Sequence, residues 1–177
     1  MRDHLRGPRV SLEPFRPEDA EVLAVFEQDG EFLRLYDAEV ARAHTADEIR
    51  SLLQGRTPPR DFVFSLHGPD HTLLGLGGID GILPFQGVGD LSVALGRPYW
   101  GQGYGREALT LLLRFAFMEL NLRRVGITVF DYNPRAIRLY ERAGFVREGA
   151  RRAYVVRDGK AHDMLLYGML REEFRES

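Results

Sequence analysis

The chain has 177 residues, 44% of them hydrophobic and 28% charged, which suits one globular domain with a sizeable core. Its net charge of −2 excludes a general pull toward nucleic acid or an anionic membrane. The absence of cysteine excludes disulfides, thiolate nucleophiles and Cys-based metal sites, in keeping with a reducing, cytoplasmic setting. No apolar run follows Met1, so neither a signal peptide nor a membrane span is expected. All the basic residues but Lys160 are Arg, a bias that GC content or a hot habitat would equally produce.

In chain order, "RVSLEPF" (9–15) alternates Val10 and Leu12 with polar neighbours and predicts a first strand. Pro17 sits where a first helical turn accepts it, and the helix it opens is expected to bury Val22, Val25 and Phe26. The segment 31–44 is ambiguous. Thr45 and Glu48 have capping-box spacing for a short helix ended by Gly55. Three strands follow, at 61–67, 72–79 and 89–96, the first two joined by a "GPD" hairpin signal.

The longest helix comes next, with Leu109, Leu112, Leu113, Ala116, Phe117 and Leu120 on one apolar face. Residues 123–130 alternate at Val125, Ile127 and Val129 as a strand. Asn133 then caps a helix with Pro134 in its first position and Gly144 at its close. Asp158-Gly159 between two apolar runs predicts a final antiparallel hairpin. The order β, helices, β-β-β, α, β, α, β-β describes a mixed sheet carrying helices, without regular βαβ alternation.

At the mouth of the longest helix stands "YWGQGYGREA" (99–108), with Gly101, Gly103 and Gly105 at alternate positions. Such a loop lets main chain approach a ligand, and a helix N-terminus favours an anion. "GYGREA" satisfies the dinucleotide fingerprint, with Asp131 downstream as a would-be ribose acid. Against that reading, "GRPYW" separates strand from glycine, and the strand–helix alternation soon stops. A P-loop is excluded because no Lys-Ser or Lys-Thr follows the glycines.

Three passages resemble the Gcn5-related N-acetyltransferases (GNAT), particularly the ribosomal-protein N-terminal acetyltransferase branch. They are "LSVALGRPYWGQGYGREAL" (91–109), "NPRAIRLYERAGFVREG" (133–149) and "DGKAHDMLLYGML" (158–170), in the family's order. The resemblance implies a single α/β domain over 1–177, with a mostly antiparallel sheet splayed at the cofactor site. Within it, about 9–60 would form the acceptor side, about 88–149 the acetyl-CoA core and about 150–170 the closing hairpin. The family's loop pattern is R/Q-x-x-G-x-G/A. Here Trp100 holds the first position and is expected to pack, leaving main-chain donors to carry the phosphates.

The reaction implied is direct attack of a primary amine on the thioester of acetyl-CoA, with no metal. None of the five histidines has ligand-like spacing. The loop residues Gly101, Gln102, Gly103, Tyr104, Gly105 and Arg106 would grip the diphosphate. Main chain at Val93, Ala94 and Leu95 would meet the pantetheine arm and polarise the carbonyl. Tyr140 matches the family tyrosine that protonates the departing thiolate, a sound role for a phenol neutral at pH 7. Asn133 lies seven residues earlier, two turns away on the same face, and would contact the arm.

For the general base, Asp90 with Ser92 on the same strand face is one candidate and Asp80 another, the latter also placed for the substrate. Arg138, Arg142 or Arg106 would reach the CoA 3′-phosphate. The Arg147, Arg151, Arg152 cluster would attract either an acidic acceptor or an adenosine phosphate. Phe32, Leu35 and Tyr36 suggest an apolar acceptor lining, with Asp37 and Glu39 for a cationic amine. The acceptor that the resemblance favours is a protein N-terminal amine of the ribosomal-protein-alanine type, with a polyamine, an amino acid or an aminoglycoside as the alternative. A homodimer is compatible with the resemblance. A non-catalytic acyl-CoA-binding module and a nucleotide-dependent oxidoreductase are the alternatives from other classes.

Overall fold

A computed structural model describes residues 3–175. Seven strands form one sheet in the order β1-β2-β3-β4-β5-β7-β6. They are β1 (Ser11–Pro14), β2 (Phe62–His67), β3 (Leu73–Leu83), β4 (Val88–Leu95), β5 (Arg124–Phe130), β6 (Val146–Arg157) and β7 (Lys160–Leu170). Every neighbouring pair is antiparallel except β4–β5. That parallel pair is short, running Val88↔Arg124, Gly89↔Val125 and Asp90↔Gly126. Beyond Asp90 the strands part, although β4 continues to Leu95 and β5 to Phe130. The sheet therefore forks, and the dinucleotide reading fails with it, because a doubly wound fold needs successive parallel pairs.

Both faces of the sheet are covered. Helices α4 (Tyr104–Arg114) and α5 (Pro134–Ala143) pack on one, around Leu109, Leu112, Phe117, Val125 and Ile127. Helices α1 (Asp19–Phe26), α2 (Gly30–Tyr36) and α3 (Ala46–Gln54) pack on the other, around Leu23, Phe26, Phe32 and Ile49. Strand alternation feeds both cores at once: Leu74, Val93 and Leu95 go to the first, Leu73 and Ala94 to the second.

Local chemistry sets the helix ends. Asp29 accepts from the N–H groups of Glu31 and Phe32, which starts α2 inside the segment that periodicity leaves ambiguous. Thr45 and Glu48 make the expected capping box. Asn133 caps Ala136 N–H at 3.1 Å. At the far end of α5, Gly144 takes φ 98° and Phe145 N–H returns to the Tyr140 carbonyl in a Schellman motif.

Some expectations change. Helix α1 buries Asp19, Ala20, Leu23 and Phe26, while Val22 and Val25 are exposed. A hydrophobicity pattern misses this face because its anchor is polar, Asp19 accepting from Ser65 Oγ at 2.6 Å on β2. Gly55 ends α3 in right-handed conformation, not as a left-handed cap. The long helix widens into a π turn at Phe115–Glu119, which leaves Leu120 only half-buried and turns Leu122 inward.

Candidate active site

The fork between β4 and β5 opens a cavity of about 580 Å³ that runs through the sheet from one helical layer to the other. Leu91–Leu95 of β4 form one wall and Ile127–Phe130 of β5 the other. β4 is paired with β3 along its other edge, so its fork-side main-chain N–H and C=O groups face the cavity without a ladder partner. An extended amide-bearing chain can hydrogen-bond to such an edge like an added strand.

The glycine loop closes one end. Gly101 (φ 74°) and Gly103 (φ 88°) adopt left-handed conformations open to glycine, and Gly103 is the N-cap of α4. The N–H groups of the first turn of α4 have no earlier helical carbonyl, so they face outward as donors with the positive end of the helix dipole behind them. Space divides the glycines. A Cβ at Gly103 would come 2.8 Å from the Arg9 guanidinium, whereas one at Gly105 would make ordinary contacts with Leu139 and Leu95. The loop is tied to the start of the sheet by Glu107, which accepts from Arg9 N–H at 2.6 Å and Val10 N–H at 3.0 Å. Arg9 in turn donates to the Gln102 carbonyl at 3.0 Å.

Tyr140 lies on the α5 wall, 6% exposed, with Asn133 two turns earlier on the same wall, at the N-cap. Burial pushes its phenol above the ordinary tyrosine value, so it remains protonated throughout the neutral range. Its ring packs against Phe145 and Tyr167, and its hydroxyl has no hydrogen-bond partner among the described residues. The group that a thiolate would need is therefore a neutral, uncommitted acid.

On the opposite layer the cavity reaches Ser92, Arg56, Tyr36 and Phe32. Ser92 Oγ donates to Asp80 Oδ2 at 2.9 Å, and the Arg56 guanidinium stands 3.4 Å from Asp80 Oδ1 without a hydrogen bond. Burial is the largest influence on Asp80 and raises its carboxyl above the usual range, with Arg56 and Ser92 opposing. A carboxylate raised in this way and joined by a hydroxyl to the cavity can receive a proton from a bound amine.

The residues expected for the site divide accordingly. Val93, Ala94, Leu95, Gly101, Gly103, Gly105, Arg106, Asn133, Tyr140, Ser92, Phe32 and Tyr36 all line the cavity. Asp80 stands behind Ser92. Asp90 does not reach the cavity, because β4 still pairs with β5 at that point and its carboxylate lies against Gly126, where a Cβ would collide with it. Arg138 is exposed and off the wall. Gln102 turns its side chain back to the Pro98 carbonyl at 2.6 Å, and Tyr104 packs under Arg9 and against Tyr99. Asp131 accepts from His162 Nδ1 at 2.9 Å and Asp163 N–H at 3.0 Å, a strand-end role.

Two charged wall residues escape sequence reasoning. Arg56 sits in the "GRTPPR" break, where no periodicity marks it. Arg135 reads as one more Arg on a polar helix face, yet it lies over Trp100 at the cavity wall. Among the described residues, no cluster of three or more His, Asp or Glu side chains is placed to hold a metal ion.

With this geometry in place, comparison with known proteins is direct. Residues 9–146 match the acetyltransferase (GNAT) domain family. The chain is 30% identical over 169 residues to the SPbeta prophage-derived uncharacterized N-acetyltransferase YokL of Bacillus subtilis (strain 168), covering 95% of this chain and 93% of that protein. It is 28% identical over 108 residues to the [ribosomal protein uS5]-alanine N-acetyltransferase of Escherichia coli (strain K12), covering 59% of this chain and 55% of that protein. Among solved structures, the spermidine N-acetyltransferase from Vibrio cholerae in complex with CoA and spermine superposes with a TM-score of 0.85. That likeness spans 94% of this chain and 98% of the other at 21% identity, and speaks to the fold.

Proposed function

The chain belongs to the GNAT family and is an acetyl-CoA-dependent N-acetyltransferase, and from that premise we propose that it acetylates the α-amine of a protein or peptide N-terminus. Acetyl-CoA supplies the activated acyl group. The left-handed glycines and the first turn of α4 fit a diphosphate, and the unpaired β4 edge fits an amide-bearing arm. A main-chain N–H in the Leu91–Leu95 stretch polarises the thioester oxygen. Asp80 receives the proton of the attacking amine through the Ser92 hydroxyl, in place of Asp90. Tyr140 delivers a proton to the sulfur as it leaves.

The observation that carries the choice of acceptor is the charge around the amine end. Phe32, Leu35, Tyr36, Tyr154 and Met164 make an apolar lining, which Asp37 and Arg56 also reach. Arg157 also donates to the main-chain oxygens of Asp37 and Glu39, at 2.7 and 3.1 Å. A polyamine brings several cations to a lining that already holds the Arg56 guanidinium, with Arg157 just behind Asp37. A peptide brings one amine on an uncharged body. The relative that acts on ribosomal protein uS5 alanine supports the same reading.

An acceptor screen tests this, following thiol release from acetyl-CoA with N-terminal peptides, free amino acids, aminoglycosides and spermidine. The expected result is a kcat/KM for an apolar-headed peptide at least about tenfold above that for spermidine, a 1.4 kcal/mol preference. Faster turnover of spermidine would overturn the assignment.

A further inference from the structure

Trp100 occupies the loop position where a polar side chain would be expected beside the phosphates, and its ring is fixed there. Its indole Nε1–H donates to the Leu95 carbonyl at 2.6 Å. Over that ring lies the guanidinium of Arg135, with Cζ 4.1 Å from the centroid, well within cation–π reach. Both residues line the cavity together with Gly101 and Gly103.

A second guanidinium, that of Arg97, stands 5.9 Å from the same ring, but Asp29 and Glu31 each meet its charge at 3.1 Å. Arg135 has no carboxylate partner among the described residues. It also occupies the second position of α5, at the positive end of that helix. An unanswered cation held over the indole at such a place is arranged for an anion that arrives from outside. With no hydrogen bond to the described residues, its N–H fork is open to a bidentate contact, and the indole restricts the rotamers that binding would otherwise have to freeze.

From this juxtaposition we infer that Arg135, oriented by the Trp100 indole, binds the diphosphate of acyl-CoA. The cation comes from α5 and the loop provides its platform. The inference rests on the loop of Gly101–Gly105 receiving that diphosphate, as proposed above.

The test is calorimetric titration of the full chain with CoA and with 3′-dephospho-CoA, beside kcat/KM with S-acetyl-pantetheine, a donor without phosphate. Arg135→Ala is expected to weaken CoA and dephospho-CoA alike by about tenfold, and to leave kcat/KM for the pantetheine donor unchanged. Trp100→Phe keeps a ring and should retain most of the affinity. Undiminished CoA binding in R135A would overturn the inference. So would a loss confined to CoA, which would mean a 3′-phosphate contact, or an equal loss with the pantetheine donor, which would mean a structural role. Gly103→Val separates the two levels: if it too binds CoA normally, the loop assignment itself fails.

Discussion

At Tyr140 a single side chain serves both packing and chemistry. The ring is held by Phe145, Tyr167 and the Schellman close of α5, while the hydroxyl is left uncommitted. Tyr140→Phe should therefore lower kcat by about a hundredfold or more, with CoA affinity nearly unchanged in a direct titration. Equal kcat would remove the phenol from the mechanism. The base has the opposite pH requirement, since it must be ionised to work. Burial raises Asp80, so kcat/KM should fall as pH drops through a value above the ordinary carboxylate range. Asp80→Asn should abolish that acidic limb together with most of the activity. A wild-type profile in D80N would return the role to a water chain. The asymmetry among the glycines is as readily checked. Gly105→Ala should be tolerated and Gly103→Val should weaken CoA binding, because only Gly103 combines left-handed backbone with the Arg9 guanidinium 2.8 Å from a Cβ. Tyr140 and the glycines are legible in the sequence through their spacing. Asp80 is legible only as one of two candidate acids and Arg135 not at all, since the choice depends on what an approaching element places beside them.

Caps and ties decide where the elements stop and how firmly they hold the site. The capping box at Thr45, the Asn133 cap and the Gly144 close are all readable, because each is a contact within a few residues along the chain. The face of α1 is not, because it answers to Ser65 across the layer through a buried carboxylate. The π turn at Phe115–Glu119 is likewise invisible in a 3.6-residue pattern that continues through it. Glu107 shows the functional side of such long-range ties. It gathers the Arg9 and Val10 N–H groups onto the first turn of α4, some hundred residues away in sequence. Glu107→Ala leaves these donors without their acceptor and should cost about 1–3 kcal/mol of stability in denaturant unfolding. It should also reduce CoA affinity by loosening Arg9 from the loop. Unchanged unfolding and unchanged affinity together would show the tie to be incidental.

For the molecule as a whole, the decisive feature is where one strand pair stops. β4 and β5 share only Val88–Asp90 with Arg124–Gly126, and the parting beyond them creates the passage between the two helical layers. Element order and the three family-like passages together lead to a mixed, splayed sheet, but nothing local in β4 says at which residue it leaves its neighbour. That is why Asp90 reads as a site residue in the sequence and lies at the closed end of the fork in the structure. A cavity built this way should couple ligand to fold. CoA at about 100 times its Kd should stabilise the chain by about 2.7 kcal/mol, and NAD should not.

The most direct measurement is a crystal structure grown with CoA. The account predicts the diphosphate on the N–H groups of the Gly101–Gly105 turn, the pantetheine arm along Leu91–Leu95, and the sulfur within hydrogen-bond reach of the Tyr140 hydroxyl. A diphosphate bound away from that turn, or a sulfur on the far side of the fork from Tyr140, would contradict it.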